Sequence, residues 1–347
     1  MYSVLVTGVG SNIGQGIVKA LRLSSFNCRI IGVDMNPLSA GLYRTDSAYI
    51  VPPASDEEYI GTIIDICKKN HVDIVLIGSD AEVSVFARHK ALLEETSKAK
   101  VIVSPLEVVS LCTDKWLTVN FLTKTGLNYP FSVLGNRKGS VKRIIDVCGF
   151  PLIVKPRVGS GSENTYKSSN EEELKCHLKL VKCALIQEEL GSEHEEYTCG
   201  IFFSGDSKVK GIIPMRRELQ GGTTYRAIVD YFPEVLQEVE KIAYHLSMLG
   251  AIGPINVQLR LTSRGAVAFE INPRFSGTTA FRAKFGFNEV EAIIKNFLLE
   301  EEIDELKYKS GVVMRYWEEI YTSLDEVKKL KKKGYLYKPK SEILHVL

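Results

Sequence analysis

Phe269-Glu270-Ile271-Asn272-Pro273-Arg274-Phe275-Ser276-Gly277 decides the reading of this chain, because it sets a carboxylate and an amide two residues apart and a guanidinium two further on. If Val267 to Asn272 is a strand, alternation puts Glu270 and Asn272 on one face, pointing away from Phe269 and Ile271. Upstream, Ile255-Asn256-Val257-Gln258-Leu259 alternates in the same way. Ser263-Arg264-Gly265 reads as a three-residue hairpin loop with glycine in the left-handed position, which places Gln258 opposite Glu270. Oxygens of Gln258, Glu270 and Asn272 beside Arg274 suit Mg²⁺, which takes a few protein oxygens and keeps the rest of its shell for phosphate and water. A Glu-x-Asn pair alone is more often a solvated sheet face. The opposed glutamine, the arginine and the Gly277 turn set this one apart.

Outward from that hairpin, the first third alternates strands (Ser3 to Thr7, Arg29 to Asp34, Asp73 to Ile77, Lys100 to Val103) with helical runs (Ile13 to Leu23, Glu57 to Asn70, Val83 to Glu95). Such alternation predicts a parallel sheet covered by helices on both faces. After Ser104-Pro105 one helix is expected from Leu106 through Thr125, carrying Asp114-Lys115-Trp116. A small segment to about Leu185 follows, with a helix from Ser140 to Cys148, the strand Leu152 to Lys155, a glycine-rich loop and a helix from Asn170 to Val181; it reads as a mobile lid. Strands dominate from Ile186 to about Leu299, interrupted by helices from Pro233 to Leu249 and Glu289 to Leu299. The basic run Lys328 to Lys333 reads as a solvated helix face.

A chain of 347 residues is long for one core and suggests two or three domains. Its net charge of +2 makes no case for nucleic acid or a membrane surface as partner. The seven cysteines form no C-x-x-C pair and are odd in number, which points to buried free thiols in a reducing cytoplasm. No apolar run approaches membrane-spanning length.

Thr7-Gly8-Val9-Gly10-Ser11-Asn12-Ile13-Gly14-Gln15-Gly16 joins a strand to a helix, where bare amides can cradle a phosphate, and Asp34 ends the second strand where a ribose acid would stand. This supports a competing expectation, a nicotinamide-dependent Rossmann oxidoreductase or epimerase. The spacing is G-x-G-x-x-x-G, no Tyr-x-x-x-Lys pair exists, and a glycine-rich first turn also lets a helix pack close to its sheet. Lys155-Pro156-Arg157-Val158-Gly159-Ser160-Gly161-Ser162 offers a point charge and a flexible loop for phosphate oxygens. Ile186-Gln187-Glu188-Glu189-Leu190-Gly191 reads as a connector whose backbone could pair with an adenine edge, with Glu195 and Glu196 downstream within reach of ribose hydroxyls. Acidic runs and glycine turns are commonly just solvated surface. Their order along the chain is what lifts each of them.

In that order the residues resemble the ATP-grasp superfamily, and within it the synthetase halves of the carbamoyl phosphate synthase large subunit and related carboxylate–amine ligases. The matching motifs are Gly8 to Gly16, Val33-Asp34-Met35-Asn36-Pro37, Asp114-Lys115, Val154-Lys155-Pro156, Gln187-Glu188-Glu189, Glu196-Tyr197-Thr198, Asn256-Val257-Gln258 and Glu270-Ile271-Asn272-Pro273-Arg274. The resemblance implies an α/β chain: a Rossmann-like pre-ATP-grasp domain over 1–107, then a two-lobed ATP-grasp (α+β) domain. Its small lobe or lid would span 108–185 and its large lobe with the metal site 186–300, with a C-terminal extension over 301–347.

The resemblance also implies ATP with Mg²⁺ or Mn²⁺. Lys115, Lys155 and the loop Ser160, Gly161 and Ser162 would contact phosphates; Glu188 and Leu190 would present main-chain groups to adenine; Glu196 would hold ribose, with Glu195 an equal-looking candidate. Gln258, Glu270 and Asn272 would bind metal, and Lys155 and Arg274 would steady the transferred phosphoryl group. Nothing in the chain resembles an amidotransferase partner or a second synthetase half, so the expectation is ligation of a small carboxylate to an amine, through an acylphosphate, with release of ADP and phosphate. A phosphotransferase stopping at a phosphorylated product is the variant. Arg216, Arg217 and Arg226 around Gly221-Gly222 could form a substrate loop, Ser276 and Gly277 could donate to the acyl oxygen, and His245 reads as a packed core histidine. A cytoplasmic enzyme, with a homodimer as its assembly, is expected from the general habit of such proteins.

Overall fold

Alternate residues of the N-terminal strands go to opposite sides: Val4, Val6, Ile30, Ile74 and Leu76 join one apolar core, while Leu5, Ile31, Val33 and Val75 join another. This is the signature of strands buried on both faces. In the computed structural model, which describes residues 1–159, 161, 163–191 and 193–343, these strands lie in a six-stranded sheet. Its order is Tyr335–Tyr337, Ser47–Ile50, Cys28–Asp34, Tyr2–Val6, Ile74–Leu76, Lys100–Ile102. Neighbours are parallel except Tyr335–Tyr337, a strand from the far end of the chain that runs antiparallel to Ser47–Ile50.

The glycine-rich turn serves backbone contact. Gly8 has φ +52°, and a Cβ on Gly14 would stand 2.3 Å from the Gly8 carbonyl oxygen. Ser11 caps the helix Asn12–Leu23 by accepting from the amides of Ile13 and Gly14.

The expected helix from Leu106 through Thr125 is two helices, Leu106–Thr113 and Lys115–Lys124. Asp114 between them is extended, and its carboxylate accepts from the amides of Trp116 and Leu117. A side chain that satisfies two orphan amides starts a new helix in preference to continuing the old one.

Four antiparallel strands, Ser132–Leu134, Ala184–Glu188, Leu152–Pro156 and Tyr166–Ser168, make a separate small sheet with its own core of Val133, Ile144, Leu152, Val154, Leu174 and Ile186. The helices Ser140–Cys148 and Glu171–Leu180 contribute to that core.

The third sheet is antiparallel and six-stranded, in the order Gly265–Asn272, Gly253–Thr262, Glu196–Phe203, Val209–Gln220, Thr223–Val229, Gly311–Met314. The helix Pro233–Met248 covers one face through Val235, Val239, Ile242 and Leu246. From the other face Phe202, Ile213 and Met215 join Ile17 and Leu21 of the first helix in one core, so the N-terminal half and this sheet pack as neighbours without a water layer. Residues beyond 300 supply edge strands to both large sheets, and the helix Leu324–Lys333 buries Val327 and Leu330 while its lysines stay exposed. No described helix is long and apolar enough to cross a membrane.

Candidate active site

The hairpin Gly253–Thr262 to Gly265–Asn272 pairs Gln258 with Glu270 and Asn256 with Asn272, the register expected from alternation. Two details differ. The connection is tighter, because Thr262 pairs with Gly265 (φ +90°) and its hydroxyl donates to the Gly265 carbonyl while accepting from the Arg264 amide. Phe269 does not point away from Glu270: the register slips between Gln258 and Leu259, leaving Phe269 as the extra residue of a bulge. Both residues then line one cleft, with the Phe269 ring 5.6 Å from Lys155 Nζ, while Ile271 stays in the core.

That cleft, of about 640 Å³, lies between the small sheet and the hairpin and brings together Lys115, Lys155, Glu188, Leu190, Glu196, Gln258 and Glu270. Lys155 comes from the strand Leu152–Pro156 and is buried, donating 2.8 Å to Gln187 Oε1. Burial pushes its ammonium down to about 8, against the pull of the Glu270 carboxylate and with the help of Lys115. Lys115 opens the helix that Asp114 caps, so its side chain reaches the glycine loop and donates 2.6 Å to the Gly159 carbonyl. Arg157 closes the same corner on Asp114 at 2.7 Å. Gly161 has φ +67°, a conformation that favours glycine; Ser160 and Ser162 lie outside the described residues.

Glu188 is more committed than its sequence suggests. Its amide donates to the Phe131 carbonyl at 2.9 Å, and its carboxylate accepts from the Phe131 amide at 2.7 Å and from Arg264 at 2.6 Å. Of the two neighbouring acids, Glu196 lines the cleft, whereas Glu195 accepts from the Tyr197 hydroxyl at 3.0 Å. Glu196 is itself clamped: Oε1 accepts from Arg217 at 2.7 Å and Oε2 from Arg260 at 3.1 Å. Asn272 is buried beside Asn256, and its amide nitrogen has no hydrogen-bond partner among the described residues.

Arg274 faces a second cavity of about 420 Å³, whose walls also include Gln258, Glu270, Arg217, Ser276 and Gly277. Across it stand Ser11, Asn12 and Asp80 from the N-terminal half. The glycine-rich turn therefore looks onto this cavity. Asp34, where a dinucleotide ribose would be held, is occupied by the Gly10 amide at 2.7 Å, the Asn36 amide at 3.0 Å and the Ser39 hydroxyl at 2.8 Å. His245 is far from this chemistry, half-buried with its ring edge toward Phe121, and Arg226 pairs with Glu218 at the surface.

Sequence reasoning missed Asp80 and Arg260, and read Gln187 only for its place in the connector, not for the side-chain oxygen that holds Lys155. Arg260 lies two residues beyond Gln258 on the same strand face, so the alternation that found the glutamine also points to it. Asp80 carries no such signal.

Two family models match, in chain order: the one described as "PylC-like, N-terminal domain" over residues 4–102, and "ATP-grasp in the biosynthetic pathway with Ter operon" over residues 182–320. The carbamoyl phosphate synthase large chain of Helicobacter pylori (strain ATCC 700392 / 26695) is 24% identical over 330 residues, 88% of this chain. That of Campylobacter jejuni is 26% identical over 303 residues, 81% of this chain. The chain spans only 30% and 27% of these two relatives. Among solved structures, N5-carboxyaminoimidazole synthetase of Staphylococcus aureus complexed with ADP shares the fold with a TM-score of 0.70 at 14% identity, over 96% of this chain and 85% of that one. The biotin carboxylase–β-γ-ATP complex of Campylobacter jejuni gives 0.70 at 14% identity, over 89% and 74%. The α/β architecture is the expected one, and nothing among these relatives supports a nicotinamide enzyme. A PylC-like N-terminal match followed by an ATP-grasp match, across the residues that build this cleft and hairpin, makes the chain similar to ATP-grasp proteins along most of its length.

Proposed function

We propose that the protein is an ATP-dependent carboxylate–amine ligase. The carrying observation is that Glu270 stands opposite Gln258 on the wall of a cleft that also holds the buried Lys155. On this reading residues 1–107 offer one wall of the acceptor site, 108–185 the lid and 186–300 the metal-bearing floor, while 301–347 tie the large sheets together.

One carboxylate and two amide oxygens, from Glu270, Gln258 and Asn272, are hard donors that fit Mg²⁺ or Mn²⁺ while leaving most of the coordination shell to phosphate. The ion, when bound, supplies neutralisation of the triphosphate. The chain's own part is positioning and charge. Lys155 and Lys115 hold phosphate oxygens, with Ser160, Gly161 and Ser162 as further phosphate contacts. Leu190 and the Glu188 carbonyl meet the adenine edge, since the Glu188 amide is spent on Phe131. Glu196 receives the ribose. Arg274 faces the transferred phosphoryl group from the second cavity, where a small-molecule carboxylate attacks to give an acylphosphate and ADP; an amine then displaces phosphate and leaves an amide. Closure of the lid excludes water from the acylphosphate. A cytoplasmic homodimer is the assembly we propose, tested by light scattering.

The test is ADP release against pooled small carboxylates and amines, with Glu270→Ala as the blank. We expect release that needs both substrate classes and falls roughly 10²-fold or more in the variant. Equal release from both proteins overturns the reading. Product mass separates an amide from a phosphorylated end product.

A further inference from the structure

Arg217 belongs to both cavities. It projects from the strand Val209–Gln220 and is 9% exposed. It donates 3.0 Å and 2.7 Å to Glu196 Oε1 and 2.8 Å to Gln258 Oε1. Both acceptors are groups to which the ligase reading, on which this inference rests, gives other work: Glu196 takes ribose hydroxyls and Gln258 takes a divalent cation. A cation on Gln258 Oε1 would stand within a few ångströms of the guanidinium, and like charges at that range repel. Glu196 keeps Arg260 as a partner and so tolerates the loss of Arg217.

The displaced guanidinium has somewhere to go. Arg217, Leu219, Gly221 and Gly222 line the nucleotide cleft and the second cavity alike. Gly221 and Gly222, at φ +55° and +72°, form the turn just beyond. In the second cavity the charges are otherwise Asp80, Glu270 and Arg274, and Arg274 is already bound to Asp80 at 2.6 Å. With Arg217 held by Glu196, an entering carboxylate finds no unpaired cation among these groups.

We propose that loading of nucleotide and metal releases Arg217 from Glu196 and Gln258 into the second cavity, where it clamps the carboxylate of the acyl substrate. A planar guanidinium grips a carboxylate through two parallel hydrogen bonds, so the released side chain fits this ligand class. Nucleotide then binds before the carboxylate, and the substrate is held only when the phosphoryl donor is in place.

The test needs no knowledge of the substrate. Phenylglyoxal labels accessible arginines, and peptide mass spectrometry reads the yield at Arg217 in the full chain. Labelling is measured with and without Mg²⁺ and the β,γ-imido analogue of ATP, while calorimetry records whether the analogue binds. Arg217 labelling is expected to rise about tenfold on binding, the ratio that corresponds to losing one hydrogen bond to a charged group. Glu196→Gln, which weakens the clamp, is expected to raise labelling without nucleotide; the wild-type comparison stands even if that variant does not fold. Labelling that falls or stays level while calorimetry shows binding overturns the release of Arg217 and leaves the ligase reading intact. Failure of the analogue to bind overturns the ligase reading itself.

Discussion

Asp80, in the first turn of a helix in the N-terminal half, accepts a 2.6 Å hydrogen bond from Nε of Arg274 at the end of the central hairpin, 194 residues away. Arg274 also donates to the Phe275 carbonyl at 2.8 Å, so two contacts from different parts of the fold fix its guanidinium at the edge of the second cavity.

Asp80→Asn keeps a hydrogen-bond acceptor but removes the charge that orients Arg274. We expect kcat to fall about tenfold, since a misaimed electrostatic contact loses part of what its deletion would cost. Nucleotide affinity, set in the other cavity, stays unchanged. Steady-state ADP release and calorimetry on the same preparation check both halves. A drop in nucleotide affinity of the same size would mean that Asp80 supports the fold and not the arginine.

Lys155 makes nucleotide binding pH-dependent. Burial lowers its ammonium to about 8 from the ordinary lysine value, so in the free protein the charge is lost as pH rises through that point. Incoming phosphates favour the charged form and draw the proton back. Calorimetry at pH 8.5 in buffers of different ionisation enthalpy is expected to show net proton uptake with the ATP analogue, and Lys155→Met to abolish it. The same depression means that the unfolded chain holds more protons between about 8 and the ordinary value, so this lysine raises folding stability as pH climbs through that window.

Legibility followed locality. Gln258 opposite Glu270 was readable because alternation and a glycine turn are short-range signals, and the parallel N-terminal sheet was readable from its periodic strands and helices. The bulge at Phe269 was not, since an aromatic residue in an alternating run looks the same whether or not its partner strand skips it. Asp114 was misread as helix interior because apolar spacing continues across it, although an aspartate one residue before Lys115-Trp116 is a recognisable cap. Asp80 meeting Arg274 and Tyr335–Tyr337 pairing with Ser47–Ile50 depend on how distant segments pack, and no window of sequence contains both partners.

Glu82 gives the N-terminal half its own pH response. It is buried, with the Thr7 hydroxyl donating to one oxygen and the Tyr59 hydroxyl to the other at 2.6 Å. Burial raises its carboxyl to about 7, the two hydroxyls pulling the other way. The folded chain thus holds a proton that the unfolded chain has released, and the stability this contributes is complete below the ordinary glutamate value and is lost as pH rises through about 7. Glu82→Gln, neutral throughout, is expected to flatten the melting temperature between pH 5 and about 7.5, the span over which this carboxyl titrates. An unchanged slope in the variant would assign the response to another group.

Gly14→Ala separates the two roles open to the glycine-rich turn. In a dinucleotide site such glycines make room for a phosphate, and a methyl group there weakens ligand binding first. Here a Cβ on Gly14 would lie 2.3 Å from the Gly8 carbonyl oxygen and 2.8 Å from Val9 Cα, while one on Gly78 would lie 2.0 Å from the Thr7 carbonyl oxygen. These neighbours are backbone and cannot turn aside as a side chain would. The helix Asn12–Leu23 would have to move off the sheet, taking Ile17 and Leu21 out of the core they share with Phe202 and Met215. Overpacking of this kind costs roughly 1–3 kcal/mol. Thermal melts of Gly14→Ala should therefore show a clear loss of stability, with nucleotide affinity per folded molecule unchanged, because the cleft around Lys155 and Glu270 is built from other elements. Intact stability with weakened nucleotide binding would return the phosphate-cradling role to this turn.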